Sequence, residues 1–139
     1  MLKLEIPSNI FGRMVEQAKA EAPVEACGIL AGGDGKVEKI YKMTNADKSC
    51  DHFMMEPKEQ FTVVKDIRSA GLEMLAIYHS HPETPAGPSA EDIRLALTPD
   101  VIYVIVSLQG ANAPAVKGLL IEDGTVTEVP VKIMERQNE

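Results

Sequence analysis

The chain has 139 residues, a net charge of -7, 45% apolar and 4% aromatic residues, no Trp and seven Met. That length supports one domain with a real hydrophobic core and not two, filled by Leu, Ile, Val, Ala and Met in place of large rings. The acidity, with no Lys/Arg cluster to offset it, excludes nucleic acid as the expected partner, and the longest apolar run, Val101 to Val106, is far too short to cross a bilayer.

Leu2 to Ile6 alternates as a strand does, and Pro7-Ser8-Asn9 opens a helix whose apolar stripe is Ile10, Phe11, Met14, Val15 and Ala18, ended by Pro23. Ala26 to Ala31 reads as a small-residue apolar strand, Gly32-Gly33-Asp34-Gly35 as a turn, and Val37 to Met43 as the second strand of a hairpin. After a polar loop, Phe53-Met54-Met55 reads as a short strand. Pro57 then opens a helix with Phe61, Val64 and Ile67 on one face, stopped near Gly71. Met74 to Tyr78 is a buried strand leading into His79-Ser80-His81, and a Pro- and Gly-rich loop separates it from a third helix over Ser89 to Leu97. Val101 to Leu108 reads as a fully buried strand, and 115–122 with 125–134 as a terminal hairpin around Asp123-Gly124. Strands and helices mix without strict alternation, so the expected fold is α/β, a sandwich around a mixed β-sheet. A single domain over 1–135 followed by a short polar tail at 136–139 is the expected organisation. The start of the chain carries Glu5 where a signal peptide would be apolar, which points to the cytoplasm. Cys27 and Cys50 form no disulfide framework and are expected as free thiols there.

His79 and His81 stand two apart on a strand, so both imidazoles face one side. If the loop 82–88 folds back and Ser89 opens a helix, Asp92 in its first turn can approach the same point. Two nitrogens and one oxygen make the three-ligand shell of a catalytic zinc that keeps its fourth position for water. Each piece also has a plain structural reading. A His-x-His in an apolar strand can be a satisfied core pair, Ser89 and Asp92 suit a helix N-terminus, and Glu25 alone reads as a solvated charge.

Together, Glu25, His79-Ser80-His81, seven intervening residues, Ser89, two more and Asp92 resemble the signature of the JAMM (MPN-plus) metalloprotease family, Glu…His-Ser/Thr-His-x7-Ser-x2-Asp. Glu25-Ala26-Cys27-Gly28-Ile29-Leu30 is similar to that family's Glu-x-Cys-Gly-x-Leu strand, and Asn45 with Phe53-Met54-Met55-Glu56-Pro57 to its Asn…Phe-x-Met-x-Pro segment. The resemblance covers nearly the whole chain. It implies a cytidine-deaminase-like sandwich with helices on both sides of the sheet, and His79, His81 and Asp92 as ligands of one Zn2+ with a bound water. It also implies Glu25 as general acid/base and Ser89 as hydrogen-bond donor to the tetrahedral intermediate. Glu21 and Glu83 are acids near the motif in sequence, but only Glu25 occupies the family position. His52 is read as a loop residue, and Cys27, Cys50 and His52 are left out of the site.

The implied activity is hydrolysis of a peptide or isopeptide bond at the C-terminal Gly-Gly tail of a ubiquitin-like or sulfur-carrier protein. The compact form, with no room for long insertions between Asp92 and Val101, is more similar to stand-alone prokaryotic members than to linkage-specific deubiquitinases. A zinc amidase acting on a small molecule or peptide and a non-catalytic MPN-type interaction scaffold stand as alternatives, since the metal does not select the substrate. The sequence carries neither a His-Glu-x-x-His helix nor a Pro-Cys-x-x-Cys deaminase element.

Overall fold

Alternation along the central strands divides their side chains between two faces, and that division builds the molecule. A computed structural model describes residues 3–110 and 113–135; the tail expected at 136–139 lies outside the described residues, as does Leu2 of the first strand. The elements run β1 (Leu4–Pro7), α1 (Ser8–Glu21), β2 (Cys27–Gly33), β3 (Lys36–Met43), α2 (Pro57–Ser69) and β4 (Glu73–His81). They continue with α3 (Ala90–Arg94), β5 (Ile102–Ser107), β6 (Ala115–Glu122), β7 (Thr125–Val129) and β8 (Val131–Met134). One sheet takes the order β7-β6-β5-β4-β2-β3-β1-β8. It is mixed: β4 lies parallel to β5, and β1 parallel to β3 and β8, while the other pairs are antiparallel.

On one face Leu30, Ala76, Tyr78, Val104 and Val106 pack with Ile10 and Met14 of α1. On the other, Ile29, Ile77, Tyr103 and Ile105 pack with Ile67 of α2 and Ile93 of α3. Helices therefore cover both sides of the sheet, the α/β arrangement expected. The α1 layer is tied to the centre by Gln17, whose Nε2 donates to the Cys27 carbonyl at 3.0 Å while its Oε1 accepts from the Tyr78 hydroxyl. Gly28 makes room for that tyrosine, because a Cβ at this position would stand 2.2 Å from the ring. Among the described residues, no helix is long and apolar enough to cross a membrane.

Several element boundaries differ from expectation, each for a physical reason. β2 runs on through Gly33, leaving Asp34-Gly35 as a two-residue turn with φ of 53° and 73°, the positive values a tight hairpin needs. Phe53 to Met55 is not a strand; only Met55 bridges, to Asn45. Phe61 is 68% exposed, with the Lys65 ammonium 5.4 Å from its ring centroid, and α2 instead packs through Val63 and Ile67. α3 stops at Arg94, short of the expected Leu97, which is left 81% exposed, while Leu95 borders a small cavity with Phe53, Tyr103 and Ile105. Pro130 divides the last expected strand: lacking an N–H it cannot continue the ladder, and its carbonyl accepts from Leu4 N at 3.0 Å. β7 and β8, joined by Pro130 alone, therefore lie at opposite ends of the strand order, and the sheet curves round on itself about α1.

Candidate metal centre

The antiparallel register between β2 and β4 sets the site. Cys27 pairs with His79, and one step further Ser80 N donates to the Ala26 carbonyl at 2.9 Å while Ser80 Oγ accepts from Ala26 N at 2.8 Å. The middle residue of His-Ser-His thus stitches the chain just ahead of β2 to the end of β4. Glu25 is carried to His81, Oε2 to Nε2 at 3.9 Å. Its own backbone is held by the loop after β3: Glu25 N donates to the Ser49 carbonyl at 2.8 Å, and Asn45 Nδ2 donates to the Glu25 carbonyl at 3.0 Å.

Asp92 arrives from the other side through a helix start. Ser89 Oγ accepts from Asp92 N at 3.0 Å and Ser89 N donates to Asp92 Oδ2 at 2.9 Å, a reciprocal capping box. This aims the carboxylate at β4, with Oδ1 3.2 Å from His79 Nε2 and Oδ2 3.0 Å from His81 Nε2. The two Nε2 atoms are 3.2 Å apart. His79, His81 and Asp92, all buried, form the group of side chains able to hold a metal ion among the described residues. Ser89 is half-buried beside them, and its hydroxyl proton has no protein acceptor among the described hydrogen bonds.

The electrostatics follow from burial and from these contacts. Burial alone raises Asp92, but hydrogen bonds from His79 and His81 outweigh it and hold the carboxyl well below the usual range. Burial keeps His79 neutral, its affinity for a proton lowered despite Asp92. Burial opposes charge on His81 too, but Asp92 and the Pro85 carbonyl draw it upward. Glu25 is pushed up to about 7, chiefly by burial.

The donor set fits a divalent cation. The Pro85 carbonyl stands 2.8 Å from His81 Nδ1 and can only accept, so Nδ1 carries a proton, and a cation that displaces the proton Nε2 shares with Asp92 meets the Nε2 lone pair. Two imidazole nitrogens and a carboxylate then present lone pairs to one point, while Glu25 Oε1 lies buried with no partner. Three such ligands leave a position open, the arrangement of a catalytic rather than a structural metal site.

The structure brings together all five residues singled out in the sequence: Glu25, His79, His81, Ser89 and Asp92. It leaves Glu83 exposed in the loop. Cys27 is buried and its thiol is pushed up to about 12 by desolvation, which makes it inert packing, while Cys50 is an exposed free thiol. His52 stays in its loop, Nδ1 2.9 Å from Asp51 and Nε2 3.0 Å from Asp47, and borders a small enclosed cavity together with His79 and Asp92. Phe53 was not singled out as a site residue, yet its ring stacks on His79 at 4.7 Å and 24° and fixes the plane of that imidazole. Its only signal in the sequence is its place in the Phe-x-Met segment.

Residues 7–117 match the family described as prokaryotic homologs of the JAB domain. The chain is 38% identical to the CysO-cysteine peptidase of Mycobacterium tuberculosis, over 96% of its own length and 92% of that protein's. It is 33% identical to the desampylase of Haloferax volcanii, over 78% of this chain and 81% of the relative. The solution structure of a Desulfitobacterium hafniense protein, 42% identical, superposes with a TM-score of 0.87 and covers 96% of this chain and 94% of that one. The chain therefore belongs to the prokaryotic JAB family, the JAMM type that its histidine and carboxylate signature resembles.

Proposed function

We propose that this protein is a zinc metallopeptidase that hydrolyses a peptide or isopeptide bond at the C-terminal Gly-Gly tail of a ubiquitin-like or sulfur-carrier protein, in the cytoplasm. The observation that carries this reading is the convergence of His79, His81 and Asp92 on one buried point with Glu25 alongside, 3.9 Å from His81. The peptidase class is that of the named relatives.

His79 Nε2, His81 Nε2 and Asp92 would hold one zinc ion, which when bound supplies Lewis-acid activation of a water and of the scissile carbonyl. Glu25, with its proton affinity near neutrality, takes a proton from the attacking water and delivers it to the leaving amine. The Ser89 hydroxyl, held at the helix start and free to donate, hydrogen-bonds the developing oxyanion. No side chain has to form a covalent intermediate.

The substrate reading rests on access and on the relatives. The ligands are buried side chains, two at the end of β4 and one in the first turn of α3, which a thin chain reaches more easily than a folded surface. Gly-Gly has no side chains to clash, and an extended tail can add as a strand beside a sheet. The named relatives are a CysO-cysteine peptidase and a desampylase, and one from Thermus thermophilus is named a probable TtuB-protein conjugate cleaving protease. The test is intact-mass analysis of a carrier protein extended by one residue past Gly-Gly, incubated with zinc-loaded protein beside a Glu25→Ala control. Loss of that residue only with the unaltered protein supports the reading. Zinc bound without cleavage of either a linear extension or an isopeptide conjugate turns the assignment to a small-molecule amidase.

A further inference from the structure

The seven-residue loop 82–88 carries the chain from His81 to the helix that bears Asp92, yet it has little to hold itself in place. Three of its residues are proline, and among the described residues no backbone-to-backbone hydrogen bond ties it to the rest of the fold. Apart from the packing of Ala86, it is positioned by side chains bonding its carbonyls. One of the two buried ones is Ser107, at the end of β5 and directly paired with the other, His81, across the parallel ladder. Its hydroxyl donates to the Thr84 carbonyl and accepts from Gln109 N at 3.1 Å. Gln109 Nε2 adds an exposed bond to the Glu83 carbonyl at 3.3 Å. The next carbonyl along the loop, Pro85 O, is the acceptor for His81 Nδ1. Because the Pro85 ring fixes its φ, anchoring the Thr84 carbonyl leaves ψ of Pro85 as the one soft torsion between that anchor and the Pro85 carbonyl.

We propose that Ser107 is a positioning residue for metal binding: by clasping the Thr84 carbonyl it sets the Pro85 carbonyl, which holds His81 as the Nδ1–H tautomer with Nε2 ready as a ligand. The inference rests on the metal-site reading above. Outer partners of ligating histidines orient the ring and raise its basicity, and their loss typically costs about 10–100-fold in metal affinity. Ser107 acts one step further out, through the loop.

The experiment pairs nitrogen-detected NMR of the histidine rings in metal-free protein, at alkaline pH, with zinc affinity measured by chelator competition. Ser107→Ala is expected to shift neutral His81 from the Nδ1–H form that the Pro85 carbonyl holds toward the Nε2–H form that Asp92 Oδ2, 3.0 Å away, draws, and to weaken zinc by about tenfold or more. Ser107→Thr, which keeps the hydroxyl, restores both. Val106→Ala, a neighbouring core truncation, lowers stability without moving the tautomer. Ser107→Cys, with a weak donor of similar size, carries the same comparison if the alanine variant does not fold. An unchanged His81 tautomer, or unchanged zinc affinity, in the variant lacking the hydroxyl overturns the proposal. If the unaltered protein binds no zinc, the metal-site reading fails, and the tautomer comparison still decides whether Ser107 holds His81.

Discussion

Glu25 is a carboxyl held under strain by its own position, and the size of that strain can be measured without any substrate. In the metal-free protein its proton affinity rises from an ordinary 4.5 to about 7, chiefly through burial; Asp92 and Asp51 add to the rise and His81 opposes it. At about 1.4 kcal/mol per tenfold change in proton affinity, the ionised form costs the fold about 3 kcal/mol. The sign follows from linkage. Between pH 4.5 and about 7 the folded state binds the proton that the unfolded state has released, so stability is full below 4.5 and falls as pH rises to 7. Glu25→Gln keeps the shape and removes the charge. Its stability advantage over the unaltered protein should therefore grow by about 3 kcal/mol between pH 4.5 and about pH 8, equivalent to about 10 °C in melting temperature for a chain of this size. Urea unfolding in the presence of chelator, across that range, reads the difference. A stability gap that stays constant with pH would refute the reasoning, and with it the picture of Glu25 as a base poised near neutrality.

Removal of the ligands and of the base should separate cleanly. His79→Ala, His81→Ala and Asp92→Ala are expected to lose zinc as measured by elemental analysis, whereas Glu25→Ala retains it and loses about 10²–10⁴-fold in turnover of the tail substrate. Ser89 has two tasks that glycine can divide: Ser89→Ala loses both the cap, about 1 kcal/mol of stability, and the oxyanion donor, about 100-fold in kcat. Ser89→Gly loses the donor while giving up only a few tenths of the capping energy. Equal activity of Ser89→Gly and the unaltered protein would remove Ser89 from the reaction.

The parts of this fold that follow from local pattern were legible in the sequence, and the parts that depend on who sits opposite were not. The apolar runs of β2, β4 and β5 announce buried strands, and Ser89 three residues before Asp92 announces a helix start, because both signals are local. Leu97, four residues after Ile93, continues the apolar period of α3 just as well, but periodicity cannot say that no surface waits for it, and it ends 81% exposed. Phe61 misleads for the same reason. Pro130 is a visible breaker, yet nothing nearby tells that the next strand crosses to β1 at the far end of the sheet. In the site, the pairing of His79 with His81 is a two-residue matter, while the approach of Glu25 depends on the Cys27 to His79 register between distant segments and came into view only through the family signature. The contacts of Thr84 and Pro85 use backbone carbonyls, which every residue has, so they leave no trace in residue identity.

That division between sheet and loop bears on what zinc should do to the dynamics. Two of the three ligands belong to a central strand, but Asp92 sits on a helix of five residues, well below the roughly 12–15 at which isolated helices become even marginally stable. α3 persists through its capping box, the packing of Ile93 and the contacts of Asp92 with the histidines. Any opening of α3 withdraws a ligand, so bound metal opposes it by linkage. At zinc one hundred times above its dissociation constant such openings become about 100-fold rarer, a cost of about 2.7 kcal/mol. Amide exchange at Ile93 and Leu95, which donate to Ser89 and Glu91 carbonyls, should slow by that factor on zinc loading. Local fraying of β8, which leaves the site intact, should be indifferent to zinc. Asp92→Asn should abolish the protection. If zinc binds and α3 exchanges as before, Asp92 is not the ligand that links this short helix to the sheet, and the third donor has to be sought elsewhere.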